Sequence, residues 1–111
     1  MRILLDECVH AGVRIAFPGH AVKTVTEAGW RTSKDGPLLA FAERHFDVFV
    51  TIDRKLERQH DLSKLHLVFV LARVPNNTLA GYLPVFAQLR EAVERVRPGE
   101  VLHVAASRKG H

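Results

Sequence analysis

Five short, nearly continuous runs rich in Val, Ile and Leu, at 3–5, 21–25, 48–52, 65–72 and 101–105, constrain the fold of this chain more than any other feature. A strand with one solvated face alternates apolar and polar side chains, whereas runs of this kind require burial on both faces. The segments between them carry helical spacing. Val9, Val13, Ala16 and Phe17 recur on one helical face ahead of Pro18-Gly19, and Leu38, Leu39, Phe41 and Ala42 form a second stripe. The last and longest stripe passes through Leu83, Phe86, Leu89, Val93 and Val96, with Pro84 in its first turn and Pro98-Gly99 beyond its end. This alternation predicts a three-layer α/β/α domain around a mainly parallel five-stranded sheet, with residues 1–111 as one domain without repeats.

Composition narrows the classes. Hydrophobic residues make up 47% of the chain and charged residues 25%, which excludes a disordered or fibrous polymer, and no apolar run approaches the ~20 residues of a membrane helix. Asp6 and Glu7 fall where a secretory segment would still be apolar, so a non-membrane, cytoplasmic protein is expected. Cys8 is the one cysteine; it can form neither an internal disulfide nor a cysteine-based zinc site, which fits a reducing compartment. Lys and Arg outnumber Asp and Glu by 16 to 12, a mild lean toward polyanions, with cations grouped at Arg54-Lys55, Arg95 to Arg97 and Arg108-Lys109.

In open parallel sheets, ligands bind outside the carboxyl ends of the strands, where the strand order reverses. Two runs end in acid there: "RILLDE" leads into Asp6 and Glu7, and "FVTIDRK" into Asp53. A 2-1-3-4-5 order makes those strands neighbours and brings Asp6 and Asp53 together. Asp35, in "SKDGPLL", stands before a helix at the same edge and is the third candidate; ahead of Gly36-Pro37 it also reads as an N-cap. Asp53 has the same rival reading, at the start of a short helical turn. Three carboxylates within about 4 Å repel by roughly 4 kcal/mol per pair at an effective dielectric near 20, and a divalent cation reverses that cost. Mg²⁺ and Mn²⁺ favour such oxygen donors. Glu7 and Glu27 are secondary acids, Glu27 reading also as a solvated first-turn glutamate. Arg31, Lys34, Arg54 and Lys55 flank the acids as candidates for phosphate contact, and Trp30 reads either as a base-stacking ring or as a lid on the core. The seven histidines show no HExxH or HxH spacing, and the seven glycines never reach GxGxxG or GxxxxGK, which argues against zinc hydrolysis and against Rossmann- or Walker-type nucleotide binding.

"MRILLDECV" and "KDGPLLAFAERHFDVFVTIDRKL", continuing to "RPGEVLHV", closely resemble the PIN-like proteins of the small family labelled DUF5615, related to the Mut7-C group. The resemblance implies the fold of metal-dependent ribonucleases, many of them toxins of toxin-antitoxin pairs, with Asp6, Asp35 and Asp53 as metal ligands and catalytic acids. It implies hydrolysis of single-stranded RNA with Mg²⁺ or Mn²⁺, an antitoxin protein as partner, and a homodimer. Tyr82, Leu83 and Phe86 on the late helix would supply its interface, or else ordinary core. The chain is shorter than a typical PIN domain and lacks the helical region that carries the family's glutamate; Glu27 is the nearest substitute.

Two other classes fit part of the pattern. In a receiver-like phosphoacceptor domain, Asp6-Glu7 would form the acid pair and Asp53 would accept phosphate. Against it, "LVFVLARVPNN" lacks the Ser or Thr that closes a receiver's fourth strand, and Arg54-Lys55-Leu56 follow Asp53 in place of a Met-Pro turn. A non-catalytic PIN-like module would bind RNA or a protein without turnover.

Overall fold

Each apolar run contains a strand: β1 (Arg2–Leu5), β2 (Ala21–Thr24), β3 (Val48–Thr51), β4 (Val68–Arg73) and β5 (Val101–Ala105). The computed structural model describes residues 1–31, 33–95 and 97–105; Val96 and the Arg108-Lys109 tail, both part of the sequence reading, lie outside the described residues. All neighbouring strands run parallel, in the order β2-β1-β3-β4-β5, so the sheet is wholly rather than mainly parallel. Because successive side chains point to opposite faces, each run divides between two cores. Ile3, Leu5, Val48, Val50, Val68 and Val70 fill one face. Leu4, Phe49 and Phe69 fill the other, the two phenylalanine rings meeting edge to face with centroids 5.9 Å apart.

Helices α1 (Asp35–His45), α2 (Arg54–Gln59), α3 (Leu79–Tyr82) and α4 (Phe86–Arg95) cover the two faces. The first helical stripe is a 3₁₀ segment, Ala11–Ala16, opened by the His10 ring, which accepts the Gly12 N–H at 3.0 Å. It ends before a turn in which Gly19 takes φ +84°, a conformation open to glycine at little cost. The late stripe is not one helix. A 3₁₀ turn, Leu83–Val85, holds Pro84 between α3 and α4, and the rotation it introduces changes which residues face inward. Tyr82, Val85, Leu89 and Val93 are fully buried, while Leu83 is 54% exposed, so Tyr82 and Leu83 do not share a face. β4 begins three residues later than its apolar run, because a 3₁₀ turn at Leu62–Lys64 is closed by the Leu65 N–H; His66 therefore precedes the strand and does not interrupt it.

The faces also fix the connections. α1 and α2 pack with Leu4, Phe49 and Phe69, whereas the 11–16 segment and α4 pack with Ile3, Val48 and Val68. The crossovers β3–β4 and β4–β5 step the same way along the sheet, yet α2 lies on one face and α4 on the other. The two are therefore opposite in hand, against the uniform handedness expected of parallel sheets. One consequence is local. Among the described residues, no crossover helix lies over β5 on the α2 face, and His103, in register with Leu71 of β4, is exposed there.

Candidate functional site

The reversal of strand order lies between β1 and β3, which pair in register from Ile3↔Val48 to Leu5↔Val50. Both chains leave the sheet as acids. The ladder continues one step past β1, the Asp6 N–H donating to the Val50 carbonyl at 2.9 Å, so Asp6 is held as an extension of the strand. Thr51, wholly buried at the end of β3, joins the two strand ends through its hydroxyl. That hydroxyl donates to Asp6 Oδ2 at 2.7 Å and accepts the Asp53 N–H at 3.0 Å. The other Asp6 oxygen accepts the Glu7 N–H at 2.8 Å. Asp53 Oδ1 accepts the Lys55 N–H at 2.9 Å and so caps α2 while remaining beside Asp6.

The electrostatics single out Asp6. Burial pushes its carboxyl above the ordinary aspartate value; the Thr51, Cys8 and Glu7 hydrogen bonds oppose that, and the charge of Asp53 adds to it. Among the described residues, no cation forms an ion pair with Asp6. Cys8 sits against the same groups, its Sγ 3.5 Å from Asp6 Oδ2 and 3.6 Å from Thr51 Oγ1, and burial followed by the Asp6 charge pushes its thiol up to about 11. It is a packed neutral neighbour and not a nucleophile. The sequence reading used Cys8 only for its redox implication; its place two residues beyond Asp6 was the available signal.

The other acids are distributed around this pair. Asp6, Glu7 and Glu27 line one open groove of about 380 Å³ together with Arg14 and Thr24. The Glu27 carboxylate accepts the Thr24 N–H at 2.9 Å and pairs with Arg14 at 2.8 Å, contacts that hold it below the usual glutamate range. Asp35 lies at the same edge of the sheet but is turned toward His60, 3.7 Å from its Nε2. It occupies the first turn of α1 rather than the cap, which falls at Lys34 and carries no side-chain cap bond. Arg31, Lys34, Arg54 and Lys55 are exposed. Trp30 is the lid of the two readings: its ring stacks on Phe41 at 4.7 Å.

Among the described residues, no three His, Cys, Asp or Glu side chains are gathered closely enough to hold a metal ion. The three-aspartate cluster is thus represented here by the Asp6–Asp53 pair. Mg²⁺ commonly takes only one or two protein carboxylates, the rest of its shell being water and substrate phosphate, so two carboxylates are enough in number without Asp35. A loop the sequence reading passed over also supports the pair. Asn77 donates from Nδ2 to the Cys8 carbonyl at 2.9 Å, and its Oδ1 accepts from the His10 N–H at 3.1 Å and the Tyr82 hydroxyl at 2.6 Å. It ties the turn after β4 to the turn that carries Asp6. No helix among the described residues is long and apolar enough to cross a membrane. No family model, no curated protein and no solved structure matches this chain.

Proposed function

We propose that the chain is a PIN-like, metal-dependent ribonuclease that hydrolyses single-stranded RNA, with Asp6 and Asp53 at its active centre and the toxin of a toxin-antitoxin pair as its class. The observation that carries this reading is the Thr51 hydroxyl, which binds the Asp6 carboxylate on one side and the Asp53 N–H on the other at the reversal of strand order. Asp6 and Asp53 are the residues that would hold Mg²⁺ or Mn²⁺. Such an ion supplies Lewis acidity toward a phosphodiester oxygen and a water of lowered pKa. The chain's own part is positional: Thr51 fixes the Asp6 carboxylate, the α2 cap fixes that of Asp53, and exposed Arg54 and Lys55 offer charge to the phosphates next to the scissile one. The resemblance also makes a homodimer and an antitoxin protein the partners to seek.

The test is cleavage of a labelled single-stranded oligoribonucleotide with Mg²⁺, with Mn²⁺ and with EDTA. Asp53→Asn is expected to remove metal-dependent cleavage while leaving the circular dichroism spectrum unchanged, and full activity in that variant would end the assignment. Incubation with acetyl phosphate separates the receiver-like reading, since a phosphoacceptor would gain one phosphate at Asp53 and cleave nothing.

A further inference from the structure

The cations nominated from sequence flank the acids, but a separate groove lies one strand further along the same edge. It has a volume of about 450 Å³ and is walled by Arg54, Arg58 and Arg73, with buried Leu71 beneath and Glu57 and His103 at its side. Its origin is topological. α4 crosses from β4 to β5 on the opposite face, so among the described residues no crossover helix covers Arg73 and His103 on the α2 side, and both are exposed. Arg54 and Arg58 stand four residues apart on α2 and therefore share a helix face, toward which Arg73 projects from the end of β4. Among the described residues, no carboxylate pairs with any of the three guanidinium groups. The one acid in the groove, Glu57, is engaged by His103 at 3.2 Å. A second depression, of about 270 Å³, shares Arg54 and Arg73 with the first and extends it past Ile52 to Asn77, the residue bound to the Asp6 turn. Sharing Arg54 and Arg73, the two adjoin as one trough along the carboxyl edge from Asn77 toward β5.

We infer that this trough is a binding site for the phosphate backbone of a single-stranded nucleic acid, with Arg54, Arg58 and Arg73 as its phosphate contacts. Guanidinium groups present paired N–H donors that match phosphate oxygens, and three of them without carboxylate partners repel one another until an anion lies between them. The open, narrow shape admits a flexible strand in preference to a rigid duplex. The choice of polymer rests on the ribonuclease reading; the site itself does not need catalysis.

The experiment measures binding of a fluorescent single-stranded oligoribonucleotide by anisotropy in EDTA over a range of salt, so that it reports on the groove and not on cleavage. Replacing two contacts in Arg58→Ala/Arg73→Ala is expected to weaken binding at low salt by ~10-fold or more and to make the slope of log K against log salt shallower by about 1.4, at ~0.7 per phosphate contact. Both arginines are exposed, so the fold is retained. Lys23→Ala, which removes one charge on the far edge strand β2 where the double variant removes two, is expected to change neither quantity. Inorganic phosphate at matched ionic strength is expected to displace the RNA no better than chloride does. Absence of RNA binding, a double variant indistinguishable from Lys23→Ala, or displacement by low concentrations of phosphate would each overturn the inference, whatever the cleavage assay returns.

Discussion

β1 and β3 carry an aspartate at each end of their shared ladder, and the two behave in opposite ways. Asp47, just before β3, accepts the Arg2 N–H at 2.8 Å and lies 3.5 Å from its guanidinium; those contacts hold its carboxyl below the ordinary aspartate value. Asp6, just after β1, has hydrogen bonds of similar length, yet burial and the nearby Asp53 leave its carboxyl above that value. The difference is burial first, and after it the charge opposite. At the amino edge a carboxylate meets a cation and fastens two strands; at the carboxyl edge a carboxylate meets another carboxylate. A fold selected only for stability has no use for the second arrangement, and an incoming cation does.

The comparison breaks most readily at Thr51. Thr51→Val keeps the shape of the side chain but leaves Asp6 Oδ2 without its 2.7 Å donor and the Asp53 N–H without its acceptor. The expected cost is about 1–3 kcal/mol for stranding buried polar groups, seen as a lower urea midpoint at unchanged m-value, together with a marked loss of RNA cleavage. Full activity with reduced stability would make Thr51 a packing residue and remove the link between the two aspartates.

A second measurement sharpens the sign of the Asp6 effect. Because the folded chain holds the Asp6 proton more tightly than the unfolded chain does, stability from this group is complete below the ordinary value of 3.8 and is lost as pH rises through the elevated folded value. Asparagine has no such proton. In metal-free buffer, Asp6→Asn is therefore expected to gain stability on the parent chain as pH is raised from about 4 to about 7, and to show no RNA cleavage. A difference that is flat with pH would mean that Asp6 is as comfortable as Asp47.

The carboxyl-edge acids were legible in the sequence because they continue buried strands, and a 2-1-3-4-5 order leaves β1 and β3 no choice but to be neighbours. Periodicity could not show rotation. Leu83 falls on the right spacing for the late stripe and still faces solvent, since the 3₁₀ turn around Pro84 resets the phase between α3 and α4. Nor could spacing show where Asp35 turns, because its contact with His60 depends on how α2 ends. Arg73 was within reach. It closes β4 at the same edge as Asp6 and Asp53, and Arg58 repeats Arg54 one helical turn on; both belong to the edge as a whole and not to the neighbourhood of the acids in sequence.

The smallest effect belongs to Asp47, and its direction is what matters. Its folded carboxyl lies below 3.8, so the stability it contributes is present above that pH and is lost as pH falls through the folded value. The side chain is 41% exposed and solvent screens the pair, which limits the loss in Asp47→Asn to about 0.5 kcal/mol at neutral pH. Asparagine can still accept the Arg2 N–H, so what disappears is the charge alone. Urea titrations of this variant are expected to converge on the parent chain as pH drops below 3.8, while those of Asp6→Asn converge from the opposite side. If both variants approached the parent from the same side, the two ends of the β1–β3 pair would be electrostatically alike, and the case for a cation at the carboxyl edge would lose its physical basis.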